Sequence, residues 1–371
     1  MRNYCKLLII LISVSINSYS LNSDLTQSSE LINTDTIVKK LNDLLKKYEY
    51  AEKFNLWDKL PANLSLNIGD ISPFVLSIKN HLKINGEYIL PDDNMYFDEN
   101  LSKSIKLYQL NNGLKTTGML NTETISSLNY PKQKMIQDLK SNISRALFYN
   151  FNGDYILVNI PFFNLYVVEN NKIIDEMNVI VGKPQTPSCE LNSKIYSIVF
   201  NPSWYVPKSI ANKEMIPKLN SNPEYFDNNN FHLFYNNSEI TIDEALENNF
   251  KNIKFVQYPS SNNALGKIKF LFYNNCGIYL HDTNQKNLFT KDKKGLSHGC
   301  IRLSQPDSLA NYLLNINNLN SNLIETYKNT DQTKIINLKR QIDIHIIYLN
   351  VYVNSNNEVV FRKDIYNKNN N

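Results

Sequence analysis

An excess of charge of one sign is nearly absent from this chain. Lysine and arginine number 39 and aspartate and glutamate 35, leaving a formal net charge of +4 over 371 residues. So small and scattered an excess builds no basic face, and a nucleic-acid partner is not expected. Long apolar runs are also missing. The N-terminal run at 7–16 is short for a membrane span. Only five histidines and four cysteines occur, with no CxxC or HExxH spacing. A zinc site would lack a ligand set, so no metal or cofactor is expected. No internal repeat is present. What remains, 42% hydrophobic and 11% aromatic residues, describes a globular protein long enough for two or three domains.

The cysteines are informative because they are few. Arg2 and Lys6 precede the 7–16 run, and Ser18 and Ser20 follow it. That order predicts a secretory signal over 1–20 and export to the periplasm or cell envelope; an uncleaved signal would be a membrane anchor. Three cysteines then remain, Cys189, Cys276 and Cys300, and an odd count in an exported protein points to a free thiol. Cys189 and Cys276 are either a disulfide or two small core residues.

Cys300 lies in SHGCIRL at 297–303, nineteen positions after His281. A thiol becomes a strong nucleophile when a nearby base takes its proton, and imidazole is the usual base at neutral pH. Gly299 permits a tight turn beside the sulfur, so that the N–H groups of Gly299 and Cys300 are expected to face a developing oxyanion. Arg302 would share a face with Cys300 on a strand. It is placed to bind a substrate carboxylate or to form a structural salt bridge.

HDT at 281–283 followed by SHGCIRL resembles the active-site signature of the L,D-transpeptidases, whose catalytic domain is of the YkuD type. Many members have Gly or Ser after the first histidine; Asp282 here is similar to the larger periplasmic members. VGKP at 181–184 with Thr186-Pro187, and NPSWYVP at 201–207, resemble two further segments of the same domain. The resemblance implies a peptidoglycan transpeptidase that forms 3→3 cross-links. An acyl-cysteine forms on Cys300 with release of D-alanine, and His281 is the base. His298 and Gly299 belong to the catalytic loop. Trp204, Tyr205, Asp282, Ser297 and Arg302 are expected at the substrate. The Asp282 backbone carbonyl, or its carboxylate, would orient His281. The partners implied are peptidoglycan stem peptides and glycan, with carbapenems as inhibitors. The alternatives are a non-catalytic cell-wall binding protein, or carboxypeptidase or lipoprotein-anchoring activity at the same site.

The expected fold is an α+β multidomain chain. Residues 21–70 read as a linker and helical scaffold, with apolar residues at helical spacing over 36–54. Residues 71–130 give three short helices, and YQLNNGLKTTGMLNTETISSL at 108–128 resembles the three-helix peptidoglycan-binding domain. Residues 131–150 form a linking helix. From 151 to 366 the periodicity changes to two, predicting a mainly-β catalytic sandwich. Within it, 208–274 is long for a connection and is expected to be a capping lid. A strand is expected over 344–353. His81, His232 and His345 are expected to be structural.

Overall fold

A computed structural model of the protein describes residues 33–149, 151–248, 250–354 and 356–368. The expected signal segment at 1–20 lies outside them. No helix among the described residues is long and apolar enough to cross a membrane.

The chain begins with α1 (Thr34–Lys53), which Asn33 caps by accepting the Thr36 N–H. Three helices follow, α2 (Pro73–Asn85), α3 (Glu99–Asn111) and α4 (Thr122–Leu128), packed on a core of their own around Val75, Ile78, Leu101, Ile105 and Ile125. The polar centre of this unit is Gln109, which is fully buried. Its amide nitrogen donates to Thr117 Oγ1, the Met119 carbonyl and Thr124 Oγ1, and its oxygen accepts the N–H groups of Thr117 and Gly118. The 108–128 stretch thus contains a folding device: one buried amide satisfied by the loop it closes.

Helix α5 (Lys132–Tyr149) pairs with α1, and the two lie against a barrel. The barrel strands are β1 (Tyr155–Asn159), β2 (Asn164–Glu169), β3 (Lys172–Gly182) and β4 (Leu191–Phe200) before a large insert. After it come β9 (Ile268–Phe272), β10 (Leu280–His281), β11 (Gly295–Ser297), β12 (Ile301–Leu303) and β13 (Lys334–Ile347). The strand order is β11-β3-β12-β10-β9-β4-β13-β1-β2, and β2 also pairs with β3, so the sheet closes on itself. Closure works because β3 is long. Its first half pairs with β2 and its last residues turn to β12 and β11.

Every residue of β1 is buried. Ile156 and Val158 point into the barrel, whereas Tyr155 and Leu157 point outward to α1 and α5. A strand buried on both faces loses its alternation. The helices therefore cover one side of the barrel, and the outer face of β4, β9, β10 and β12 lies elsewhere.

Between β4 and β9 the insert forms β5 (Trp204–Tyr205), α6 (Lys208–Ile210), a π-helical turn (Ala211–Met215), α7 (Ile216–Ser221), α8 (Glu224–Asn228), β6 (Phe231–Tyr235), β7 (Ser238–Ile240), α9 (Ile242–Glu247) and β8 (Lys254–Gln257). Its four strands order as β5-β8-β6-β7 over a separate core of Met215, Leu219, Phe226, Phe231, Leu233 and Phe255. The insert thus starts at Trp204 and its last strand ends at Gln257; residues 268–272 belong to the barrel, which corrects the 208–274 boundaries. Asn201 makes the exit. It adopts φ +47°, and its Nδ2 donates to the carbonyls of Tyr327 and Thr330 at 2.7 and 2.6 Å.

Helices α10 (Pro306–Asn315) and α11 (Asn322–Lys328) follow β12, and a hairpin of β14 (Val351–Val353) and β15 (Val359–Phe361) ends the chain. The expected strand over 344–353 is two strands. β13 starts ten residues earlier and stops at Ile347. The Asn159 side chain then holds both the N–H and the carbonyl of Leu349, at 3.1 and 3.0 Å.

Cys189 and Cys276 form a disulfide, Cα–Cα 6.6 Å, across 87 positions. Closing a loop of that length removes denatured-state entropy worth about 4–5 kcal/mol. The double variant Cys189→Ser/Cys276→Ser is expected to lose that much in guanidinium unfolding, and a loss below about 1 kcal/mol would contradict a closed bridge.

Candidate active site

The register of three strands builds the site. β10 and β12 run parallel with Leu280 opposite Ile301 and His281 opposite Arg302. β9 runs antiparallel to β10 with Leu280 opposite Phe270 and His281 opposite Lys269. Leu280, Ile301 and Phe270 all face the barrel core. Side chains alternate along a strand, so His281, Arg302 and Lys269 face outward, and Tyr279 and Cys300, one position before Leu280 and Ile301, join them.

The loop that carries the sulfur is held from beneath. Ser297 is 2% exposed. Its hydroxyl donates to the Cys300 carbonyl at 2.5 Å and accepts the Gly299 N–H at 3.1 Å. Gly299 has φ +117°, a conformation that L side chains rarely adopt. Ser188 donates to the Gly299 carbonyl at 2.6 Å and accepts the Gly182 N–H at 3.0 Å. Thr186 Oγ1 and the Lys183 N–H both reach the Ser297 carbonyl. A Cβ on Gly182 would stand 2.2 Å from the Thr186 carbonyl oxygen. The VGK and TP segments are therefore the frame of the cysteine loop.

Two expectations change here. The Gly299 N–H is spent on Ser297, so of the two amides expected at an oxyanion only that of Cys300 has no acceptor among the described residues. Ser297 itself is buried in the turn and does not present its hydroxyl to a substrate.

Cys300 is the free cysteine of the described residues and is partly exposed. Burial pushes its thiol above the usual value. The backbone and hydroxyl of Tyr279 and the Lys269 and Arg302 cations pull it back. His281 is 4% exposed, and burial, with the Arg302 charge next, lowers its pKa to about 3. Its Nδ1 lies 2.5 Å from the Asp282 carbonyl oxygen. A carbonyl only accepts, so Nδ1 carries the proton and Nε2 keeps a lone pair. Cys300 and His281 are diagonal neighbours on adjacent strands. No hydrogen bond joins them among the described residues, and Tyr279 lies close enough to the thiol to favour its charged form. The resting pair is a neutral thiol beside a neutral imidazole.

Lys269 Nζ sits 3.7 Å from the Tyr279 ring centroid. Arg302 donates to Gln285 Oε1 at 2.9 Å, its Nε is buried without a partner, and it forms no ion pair among the described residues. An uncompensated guanidinium beside a nucleophile is suited to an incoming carboxylate.

The remaining predicted residues, Tyr205 aside, are engaged with other partners. Asp282 accepts the Lys267 N–H at 2.8 Å and pairs with Lys286. A Cβ on Gly266 would come within 2.3 Å of its carboxylate. The carboxylate is thus a structural clamp, and the backbone carbonyl is what orients His281. His298 turns outward: its Nε2 is 2.6 Å from Glu214 Oε1 of the insert and 3.5 Å from Lys183 Nζ. Trp204 packs in the insert core, edge-on to Phe231, and Tyr205 is exposed. Tyr279, Lys269, Ser188 and Glu214 were not singled out from the sequence. Strand alternation back from His281 would have found Tyr279; the others need the fold. His81, His232 and His345 lie elsewhere, on Asp58, Glu239 and Asn192.

The burial of His281 has a measurable sign. A pKa lowered to about 3 leaves the imidazole neutral throughout pH 5–8. Its ring proton resonances are expected to stay constant over that range, while Cys300 alkylation rises only through alkaline pH. A His281 titration midpoint near 6.5 would contradict this.

Residues 153–336 match the family described as the L,D-transpeptidase catalytic domain, YkuD. Residues 72–128 match the "Putative peptidoglycan binding domain". A curated Haemophilus influenzae protein named "Putative L,D-transpeptidase" is 30% identical over 220 residues, 57% of this chain and 44% of that protein. The chain therefore spans less than half of that relative's length. The catalytic domain of the E. faecium L,D-transpeptidase aligns with 53% of this chain and 98% of its own, at 12% identity and a TM-score of 0.28. The same domain acylated by ertapenem gives 53% and 99%, 10% identity and 0.27. Scores this low do not carry the assignment, which rests on the family matches and on the cysteine loop they cover. The chain carries at 153–336 a catalytic domain of the L,D-transpeptidase family, behind a peptidoglycan-binding domain at 72–128.

Proposed function

We propose that this protein cross-links peptidoglycan as a cysteine L,D-transpeptidase of the cell envelope. The observation that carries the reading is one outward sheet face on which a free cysteine, an oriented neutral histidine and two cations stand together. The disulfide supports an oxidising compartment outside the cytosol. The buried-amide unit at 72–128 would bring the catalytic domain to its polymeric substrate.

Cys300 Sγ attacks the carbonyl that links the third residue of a tetrapeptide stem, diaminopimelate or lysine, to its terminal D-alanine. As the S–C bond forms, His281 Nε2 takes the thiol proton. The developing oxyanion faces the Cys300 N–H. The C–N bond then breaks, the imidazolium returns the proton to the leaving D-alanine amine, and a thioester remains. An acceptor amine attacks the thioester, passes a proton to His281, and releases sulfur. Arg302 receives the D-alanine carboxylate. Tyr279 and Lys269 steady negative charge on sulfur.

This division of labour follows from the resting state. A site holding two cations favours an anionic stem and a transient thiolate, and burial, reinforced by the same cations, keeps the histidine neutral before substrate arrives. Water or a lipoprotein lysine would use the same thioester, so carboxypeptidase and anchoring activities differ only in the acceptor.

Meropenem is expected to add covalently at Cys300, read by intact-protein mass spectrometry. Cys300→Ala abolishes the adduct, and His281→Ala slows its formation by roughly 10²–10⁴-fold. With purified tetrapeptide muropeptides the native protein releases D-alanine and forms 3→3 dimers. An unmodified native protein that leaves the muropeptide profile unchanged would leave a cell-wall binding protein instead.

A further inference from the structure

The outward face that holds Cys300 continues past the nucleophile. Extending the β9–β10–β12 register sets Cys300, Tyr279 and Leu271 in one row across three strands. Two residues beyond Leu271, just past the end of β9 and on the same face, comes Tyr273. Its ring stacks on that of Tyr196, with centroids 4.5 Å apart and planes 23° from parallel. Tyr196 is the extra residue of a bulge in β4: Ile195 pairs with Phe272 and Ser197 with Leu271, leaving Tyr196 unpaired between them. A bulge re-aims a side chain, and here it brings two tyrosines together. Ser193 Oγ donates to the Tyr273 carbonyl at 2.6 Å and fixes the backbone beneath.

One ring of the pair is open to solvent and the other, Tyr196, is half-buried. Tyr273 is 63% exposed. Neither phenol hydroxyl has a hydrogen-bond partner among the described residues. The insert leaves and rejoins the barrel at the far ends of these strands, where Phe200 pairs with Ile268. Its roots therefore do not cover the tyrosines.

We propose that Tyr196 and Tyr273 form a carbohydrate subsite that holds the amino-sugar ring of the donor strand, an assignment that rests on the transpeptidase reading above. The spacing sets the ligand. Two strand separations and two residue rises place Tyr273 about 12 Å from Cys300. Three residues and the lactyl group that joins peptide to sugar separate the scissile carbonyl of a tetrapeptide stem from its sugar ring. Extended, the three residues cover about 10–11 Å and the lactyl link carries the reach past about 12 Å. A stem laid from the sulfur across β10 and β9 thus delivers its sugar to the tyrosines. A pyranose has an apolar C–H face suited to an exposed aromatic ring and hydroxyl and acetamido groups at its rim. Two phenols offer both kinds of contact.

The test uses the full chain carrying Cys300→Ala, so that ligand is bound and not consumed. Calorimetry compares two probes: N-acetylglucosaminyl-N-acetylmuramyl-tetrapeptide and the sugar-free tetrapeptide. The sugar-bearing probe is expected to bind roughly tenfold tighter. Adding Tyr273→Ala or Tyr196→Ala removes that advantage while the sugar-free tetrapeptide binds all variants alike, and Tyr273→Phe keeps most of it. Equal affinity of the two probes for the parent overturns the subsite. So does an advantage that survives both alanine variants, because the sugar would then be held elsewhere, as by residues 72–128. D-alanine release by the native chain is read separately. Its absence would refute the transpeptidase reading while leaving a sugar-dependent, tyrosine-dependent affinity standing.

Discussion

The chemistry of this protein depends on the parallel pairing of two very short strands. β10 and β12 contribute a handful of backbone hydrogen bonds, yet their register decides which side chains meet. With Leu280 and Ile301 anchored in the barrel core, His281 and Cys300 have no choice of face. A slip of one residue would bury the imidazole and the sulfur in hydrocarbon and turn two leucine-sized groups out to water. The register is therefore enforced by the core, at a cost of several kcal/mol for any slip. Catalytic geometry is inherited from hydrophobic packing.

Around that pairing the molecule builds in two directions. Beneath the cysteine, Ser297, Ser188 and Thr186 fix a turn whose glycine sits at φ +117°, and Gly182 leaves room for the TP segment to approach. These hydroxyls satisfy the carbonyls of a loop that cannot join a strand ladder. The disulfide at Cys189 and Cys276 ties the chain next to Ser188 to the chain leading into Tyr279, so both supports of the sulfur share one covalent brace. Above the cysteine, cations dominate. Lys269 and Arg302 face the same surface as His281 and Cys300, and the neighbouring carboxylates are engaged, Asp282 by Lys286 and a backbone amide and Glu214 by His298. The result is a site poor in its own negative charge and ready for that of a substrate.

The catalytic signature was legible because it is local. Cysteine, glycine and histidine in one turn, with a second histidine upstream, state their chemistry through residue type alone. The helices over 34–53 and 132–149 were legible through apolar spacing, and the alternation change near 151 marked the barrel. Two readings failed for physical reasons. Gly299 and Ser297 looked available from their types, but the Gly299 N–H is spent on the Ser297 hydroxyl, which itself donates to the Cys300 carbonyl. The strand over 334–347 was seen only in part because its first half is charged and solvent-facing, with Ile335 largely exposed. Trp204 could be read as a cleft residue or as core packing, and the fold of the insert decides for core.

What the sequence determined by itself was which atoms could react and in which kind of domain, because nucleophile, base and turn residues carry that information in their side chains and spacing. What only the tertiary structure decided was company and orientation. Tyr279 and Lys269 reach the sulfur, Glu214 reaches His298 from a separate small core, and Tyr196 meets Tyr273 through a bulge. These partners lie up to 84 positions apart, and sheet register and the packing of the insert, which no local pattern encodes, bring them together.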